Sequence, residues 1–213
     1  MTNPRPRRLK LLRWIPDAWL TTAGPTDRRS LYLTFDDGPH PQHTQPLLDL
    51  LARHDARASF FLIGEQVEKH PDLARRIAQA GHTLGNHSYS HPRFETLSLA
   101  EQFEEIGRTD RLLSAIDGRR RHAFRPPRGV LPLPMLARCI RERRRISYWS
   151  YDTLDYSRQP AEHLLSLIRQ HPLRSGDIVL MHDDGGQALD LLGTLLPQWK
   201  SQGFELRALP QEA

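Results

Sequence analysis

A chain of 213 residues, 38% apolar and 26% charged, is long and apolar enough to bury one substantial core, which excludes a disordered chain and makes a single domain the economical reading. A lone cysteine excludes an internal disulfide framework. The formal charge of +5 is carried mostly by arginine, but aromatics are not interleaved with the basic runs as a single-strand nucleic-acid binder requires, so no nucleic-acid partner is expected.

Residues 1–29 read as a basic N-terminal arm or linker, because Pro4, Pro6, Pro16, Gly24 and Pro25 break any long element. Leu11-Leu12 is cut short by Arg13, and Pro16-Asp17 interrupts the next apolar stretch, a pattern of neither a spanning helix nor a signal core. The expectation is a cytoplasmic protein, with peripheral attachment to a membrane surface left open. Regular structure is expected from Ser30, in one domain over 30–213. There the apolar run Leu31-Tyr32-Leu33-Thr34-Phe35 ends in Asp36-Asp37 and a Gly38-Pro39 turn. This is how a buried strand delivers charge to the mouth of a pocket.

The pattern then alternates. Strands are predicted near 30–36, 57–63, 82–86, 122–124, 146–151, 177–181 and 204–209, separated by helices near 43–54, 66–80, 98–117, 132–144, 160–171 and 187–199. Cys139 falls in the apolar stripe of the fourth helix and reads as a small buried hydrophobe. Such alternation means parallel βα units. The fold class is therefore α/β, its simplest closure a barrel related to the (β/α)8 design but one repeat short, with an open doubly wound sheet as the alternative. Either architecture places chemistry at the carboxyl ends of the strands. There the chain carries Asp36-Asp37, His87 with His91, Arg125, Asp152 with Asp155, and His182.

Two adjacent carboxylates resist joint ionisation unless a cation sits between them. His87 and His91, four residues apart, would face one side if they share a helical turn. With Asp37 they make a three-ligand set that leaves positions open for water and substrate, as a catalytic zinc-type site requires. Asp36 is then free to act as base. His182, at the end of a strand otherwise wholly buried, is the candidate general acid. Arg125 is held by Pro126-Pro127, stiff enough to fix Asp36 in place.

These residues resemble the polysaccharide deacetylase family (carbohydrate esterase family 4, the chitooligosaccharide deacetylase homology domain). Its five motifs occur in order over about residues 30–209: Thr34-Phe35-Asp36-Asp37-Gly38-Pro39, His87-Ser88-Tyr89-Ser90-His91, Arg125-Pro126-Pro127-Arg128-Gly129, Asp152-Thr153-Leu154-Asp155-Tyr156 and Leu180-Met181-His182. The resemblance implies a distorted (β/α)7 barrel and metal-dependent removal of acetyl groups from sugars. It implies Asp36 as base, Asp37, His87 and His91 as ligands, Arg125 orienting Asp36, Asp155 supporting His182, and His182 as acid. It also sets Arg128, Tyr156 and Leu180 beside the substrate.

Zinc is the expected cofactor, with Co2+, Ni2+ and Mn2+ suited to the same ligands. The chain departs from the family at Tyr156, where tryptophan is usual, and at Arg128, where an aromatic is usual. Substrate identity therefore stays open and includes anionic or lipid-linked acetylated sugars. The alternatives are an O-acetyl esterase or small-molecule amidohydrolase on the same fold, and a non-catalytic glycan-binding protein. Two arginine clusters, Arg119-Arg120-Arg121 and Arg141 with Arg143-Arg144-Arg145, precede strands and so face away from this rim. They read as solvated surface or as a patch for anionic headgroups or a partner. Asp183 and Asp184 read as turn residues.

Overall fold

The fold is organised around β2 (Ser30–Asp36), all seven residues of which are buried. In the computed structural model, which describes residues 4–5, 15–16 and 19–210, β2 is paired along both edges. β7 (Ile178–His182) runs beside it on one edge. On the other, β3 (Ser59–Leu62) pairs with its carboxyl half and β8 (Glu205–Arg207) with its amino half. Every pairing is parallel, and a strand covered on both faces needs the near-continuous apolar run that the sequence shows. β4 (Thr83–Asn86) extends the sheet beyond β3, and β6 (Tyr151–Asp152) extends it beyond β7. Phe124 bridges Asn86 to Ile146 of β5 (Ile146–Ser147), which pairs with β1 (Leu20–Thr21). This parallel α/β architecture is consistent with the distorted (β/α)7 barrel.

Alternation along β2 sorts its side chains. Leu31, Leu33 and Phe35 join the core shared with α1 (Thr44–Arg53), α6 (Ala161–Gln170) and α7 (Gln187–Ser201). Tyr32 instead packs with Phe61 and Ile178 in a smaller inner cluster, and Thr34 and Asp36 share that inner face. Each fully buried Leu or Phe on the outer face contributes about 1.5–3 kcal/mol. The inner face is thereby left to polar groups at the mouth. α4 (Leu99–Asp117) covers β4, opened by a reciprocal Ser98–Glu101 capping box and closed by Gly118 at φ 75°. α5 (Leu133–Arg141) buries Cys139, as its apolar stripe implies.

Several predicted elements are divided. The helix expected over 66–80 is two, α2 (Gly64–Lys69) and α3 (Pro71–Gln79), because Pro71 lacks a donor and forces His70 out of the helical region, to φ −132°. The strand expected over 146–151 changes partner midway: Tyr148 N–H bonds to Thr21 O, whereas Ser150 N–H bonds to Ile178 O. The strand expected over 122–124 is reduced to the bridge at Phe124. β8 does not stand beside β7 as a further stave; Arg57 N–H bonds to Leu206 O, wedging β8 between the bases of β2 and β3. Regular structure also begins before Ser30, at β1. Further back, Asp152 N–H bonds to Pro4 O and Arg5 pairs with Asp177 at 2.8 Å. Among the described residues no helix is long and apolar enough to cross a membrane.

Candidate active site

Asp36 is the last residue of β2 and is 3% exposed. A carboxylate buried this deeply requires a partner. Arg125, wholly buried, supplies it through Nη1 at 2.7 Å from Asp36 Oδ1. The same nitrogen donates to Thr34 Oγ1, Nη2 donates to Tyr148 O, and Nε donates to Ser147 O, while the guanidinium lies 4.1 Å from the centre of the Phe61 ring. With its nitrogens tied and one face on an aromatic, the cation is immobile, and Asp36 is oriented with Oδ2 left over.

Asp37, His87 and His91 converge beside it, their candidate ligand atoms all within 4.8 Å of one another. His87 Nε2 stands 3.4 Å from Asp37 Oδ1, and His91 Nε2 stands 3.6 Å from the same oxygen. His87 Nδ1 is 2.8 Å from Arg125 O. A carbonyl can only accept, so Nδ1 carries the hydrogen and Nε2 turns its lone pair toward Asp37. Asp37 Oδ1 is buried and has no hydrogen-bond partner among the described residues. Lone pairs converging on an orphaned carboxylate oxygen are a poor arrangement alone and a fitting one around a divalent cation.

Burial, reinforced by Asp36, pushes the Asp37 carboxyl up to about 7, and burial pushes His87 down to about 4. The raised Asp37 carboxyl is the sign of a site short of positive charge, and the lowered His87 keeps its imidazole neutral and able to ligate. The two histidines do not share a helical turn, as their spacing suggested. They sit on a loop with Ser88 and His91 at positive φ, anchored by Ser88 N–H donating to Asn86 Oδ1.

On the neighbouring strand, β2–β7 register sets His182 level with Asp36. Asp155 accepts from the His182 backbone N–H at 2.7 Å, and its other oxygen is 3.0 Å from Nδ1. Burial alone would lower the His182 pKa, but Asp155, through hydrogen bond and charge, and then Asp36 and Asp37 raise it to about 10. The imidazolium therefore holds Nδ1–H on Asp155 and offers Nε2–H to the pocket.

A cavity of about 370 Å³ is bounded by Asp36, Asp37, His87, His91 and His182 together with Arg128, Tyr156 and Leu180. Every residue singled out for this rim is thus brought together there, except Arg125 and Asp155, which stand behind Asp36 and His182. Two further residues line it that sequence reasoning did not single out for it: Trp149 and Asp184. Trp149 restores an aromatic wall at a position outside the motifs. Asp183, read as a turn residue, is instead buried beneath the Asp36–Pro39 loop, accepting from Thr44 Oγ1 at 2.8 Å. Of eight non-glycine residues at positive φ among the described residues, six (Asp37, Ser88, His91, Arg128, Leu154 and Arg158) belong to loops at this rim. Backbone strain concentrated in this way is characteristic of a functional site.

The polysaccharide deacetylase family model matches residues 23–139. A peptidoglycan-N-acetylglucosamine deacetylase of Bacillus cereus is 33% identical over 206 residues, covering 92% of this chain and 74% of that protein. A chitooligosaccharide deacetylase of Rhizobium leguminosarum bv. trifolii is 34% identical, covering 87% and 93%. Among solved structures, a peptidoglycan N-acetylglucosamine deacetylase bound to a hydroxamate-type N-oxidanyl-benzamide superposes with a TM-score of 0.85 at 31% identity, over 92% and 93% of the two chains. A pseudoenzyme of carbohydrate esterase family 4 from Bacillus anthracis superposes with a TM-score of 0.81 at 27% identity, over 91% and 68%. Fold alone therefore does not decide activity, and the side chains must. With its motifs assembled around one pocket, and with model and relatives in agreement, the chain belongs to the polysaccharide deacetylase family.

Proposed function

We propose that this carbohydrate deacetylase is a metal-dependent hydrolase that removes the N-acetyl group from an N-acetylhexosamine unit of a glycan or glycolipid. The observation that carries the reading is the presence of two supported groups on one cavity, Asp36 backed by Arg125 and His182 backed by Asp155. A binding protein needs neither pair.

Asp37, His87 and His91 would hold a divalent cation, zinc being the best match to one carboxylate and two imidazoles, and it would supply positive charge to polarise the acyl oxygen and acidify water. Asp36 takes a proton from the attacking water at Oδ2, since Oδ1 is held by Arg125. The oxygen that gains negative charge on the acyl carbon accepts from the backbone N–H of Arg128. His182 delivers the Nε2 proton to the departing nitrogen, so the C–N bond breaks to give acetate and a free amine. Trp149 and Tyr156 provide flat apolar surface for the pyranose, and Leu180 adds to the apolar lining.

Acetate release from free, polymeric and lipid-linked acetylated sugars tests the reading. Asp36→Asn and His182→Ala should each lower turnover by about 10²-fold or more while the protein still folds. Release undiminished in both would leave the acid–base assignment without support.

A further inference from the structure

A second cavity, of about 100 Å³, opens at the opposite, amino-terminal ends of β3, β4 and β5. Arg119, Arg121, Arg143, Arg144, Arg145 and His122 line it, and no aspartate or glutamate among the described residues does. The carboxylates nearby are already engaged. Asp110 accepts from Arg144 Nη2 at 2.6 Å and from Asn86 Nδ2 at 2.8 Å, and Asp117 bonds to His122 Nε2 and to the Arg119 backbone N–H. Glu142 pairs with Arg138. Arg121, which donates to Glu142 O, and Arg143 thus face the cavity with no carboxylate partner among the described residues.

Two features indicate a built site and not a solvated fringe. Arg144 is only 7% exposed, is pinned by Asp110, and keeps a buried Nε with no hydrogen-bond partner among the described residues. Arg143 occupies the left-handed position that closes α5, at φ 52°, between Arg143 N–H to Ile140 O and Arg144 N–H to Cys139 O. Glycine is the unstrained choice there. A charged, exposed side chain held at such a position on the lip of an arginine-lined cavity points to a role for the side chain itself.

We propose that this basal cavity binds a phosphoryl group. Guanidinium forks arriving from two loops, 119–121 and 143–145, match a tetrahedral dianion with several acceptor oxygens better than a carboxylate with two. The phosphoryl group is that of an anionic lipid headgroup or of a free phosphate or phosphate ester. The full-length, metal-loaded protein is titrated with inorganic phosphate and with pyrophosphate at constant ionic strength. In a parallel arm it is sedimented with phosphatidylcholine vesicles with and without phosphatidic acid.

Saturable binding is expected, weakened about tenfold or more in Arg143→Gly and in Arg121→Gln. It should be unaffected by Arg53→Gln, which removes the same charge from an exposed position on α1. Arg143→Gly relieves the positive φ, so it should keep or raise the thermal midpoint, and deacetylation of a soluble substrate should be unchanged. Binding in solution identifies a soluble phosphate as the source, and binding to phosphatidic acid vesicles alone identifies a headgroup. No saturable binding in either arm, or loss that is equal in Arg143→Gly and Arg53→Gln, overturns the proposal.

Discussion

His182 stands between opposed influences, burial lowering its pKa and Asp155 raising it, with the balance at about 10. If His182 is the acid, the alkaline limb of kcat/KM reports its loss of a proton, and activity persists below that limb. Asp155→Asn keeps the shape but removes the charge, so burial prevails. The limb should move to lower pH by about one unit or more. A limb that stays in place in a pH–rate profile would break the assignment of this pair. For the ligand set, His87→Ala or His91→Ala should abolish stoichiometric metal by elemental analysis, and thorough chelation should abolish activity reversibly. Asp36→Asn should keep the metal while losing about 10²-fold or more in turnover. These groups were legible in the sequence because each is a chemically distinctive residue type at a strand end. Trp149 was not, because its place on the pocket depends on the chain exchanging β1 for β7 between Tyr148 and Ser150. Asp183 was not, because an aspartate before two glycines reads as a turn when it is in fact packed against Gly38.

At the scale of elements, the β2–α1 and β7–α7 loops are clamped together by that contact. A Cβ on Gly38 would stand 2.0 Å from Asp183 Oδ1, while Asp183 N–H bonds to Asp36 O and its carboxylate holds Thr44. Gly38→Ala must therefore push apart the loop carrying Asp36 and Asp37. A loss of about 1–3 kcal/mol in urea unfolding is expected, with a fall in kcat. The Gly38→Ala, Asp183→Ala double variant should lose less than the sum of the singles, because the two sites are in contact. Additive losses would show that the clamp is not the cause. The strand–helix alternation was legible because each element repeats its own period. What the sequence hid are features fixed by distant partners. β1 is two residues that become a strand only against Ile146–Ser147, and β8 is a strand whose site of insertion is set by the gap between β2 and β3. The break at Pro71 was local and readable, and the pattern of apolar residues on both sides of it masked it.

Across the whole molecule, charge is distributed unevenly in a way that bears on substrate choice. A formal excess of +5 raises the local concentration of anionic ligands at any salt-sensitive distance, but only groups at the pocket can select one bound sugar over another. Arg128 is such a group, exposed on the lip of the catalytic cavity and close enough to depress the His91 pKa after burial has done so. Arg158 lines the adjoining depression beside Asp155 and Asp184, whereas Arg93 is tied to Glu95 at 3.1 Å and does not line the cavity. We expect acetylated sugars bearing a phosphate, pyrophosphate or uronate group to turn over better than neutral chitin oligomers. Trp149 and Tyr156 carry no formal charge to tell the two apart, so the difference should reside in Arg128. Arg128→Tyr is a fair test because the backbone stands at φ 57° and neither side chain is favoured there, which leaves charge and stacking as the variables. In the variant the ratio of kcat/KM for charged over neutral substrate should fall about tenfold if guanidinium and anion are in contact, and salt should leave the wild-type ratio largely intact. A wild-type ratio that collapses in salt while surviving the substitution would assign the preference to the overall field, and an unchanged ratio under both treatments would remove Arg128 from substrate selection.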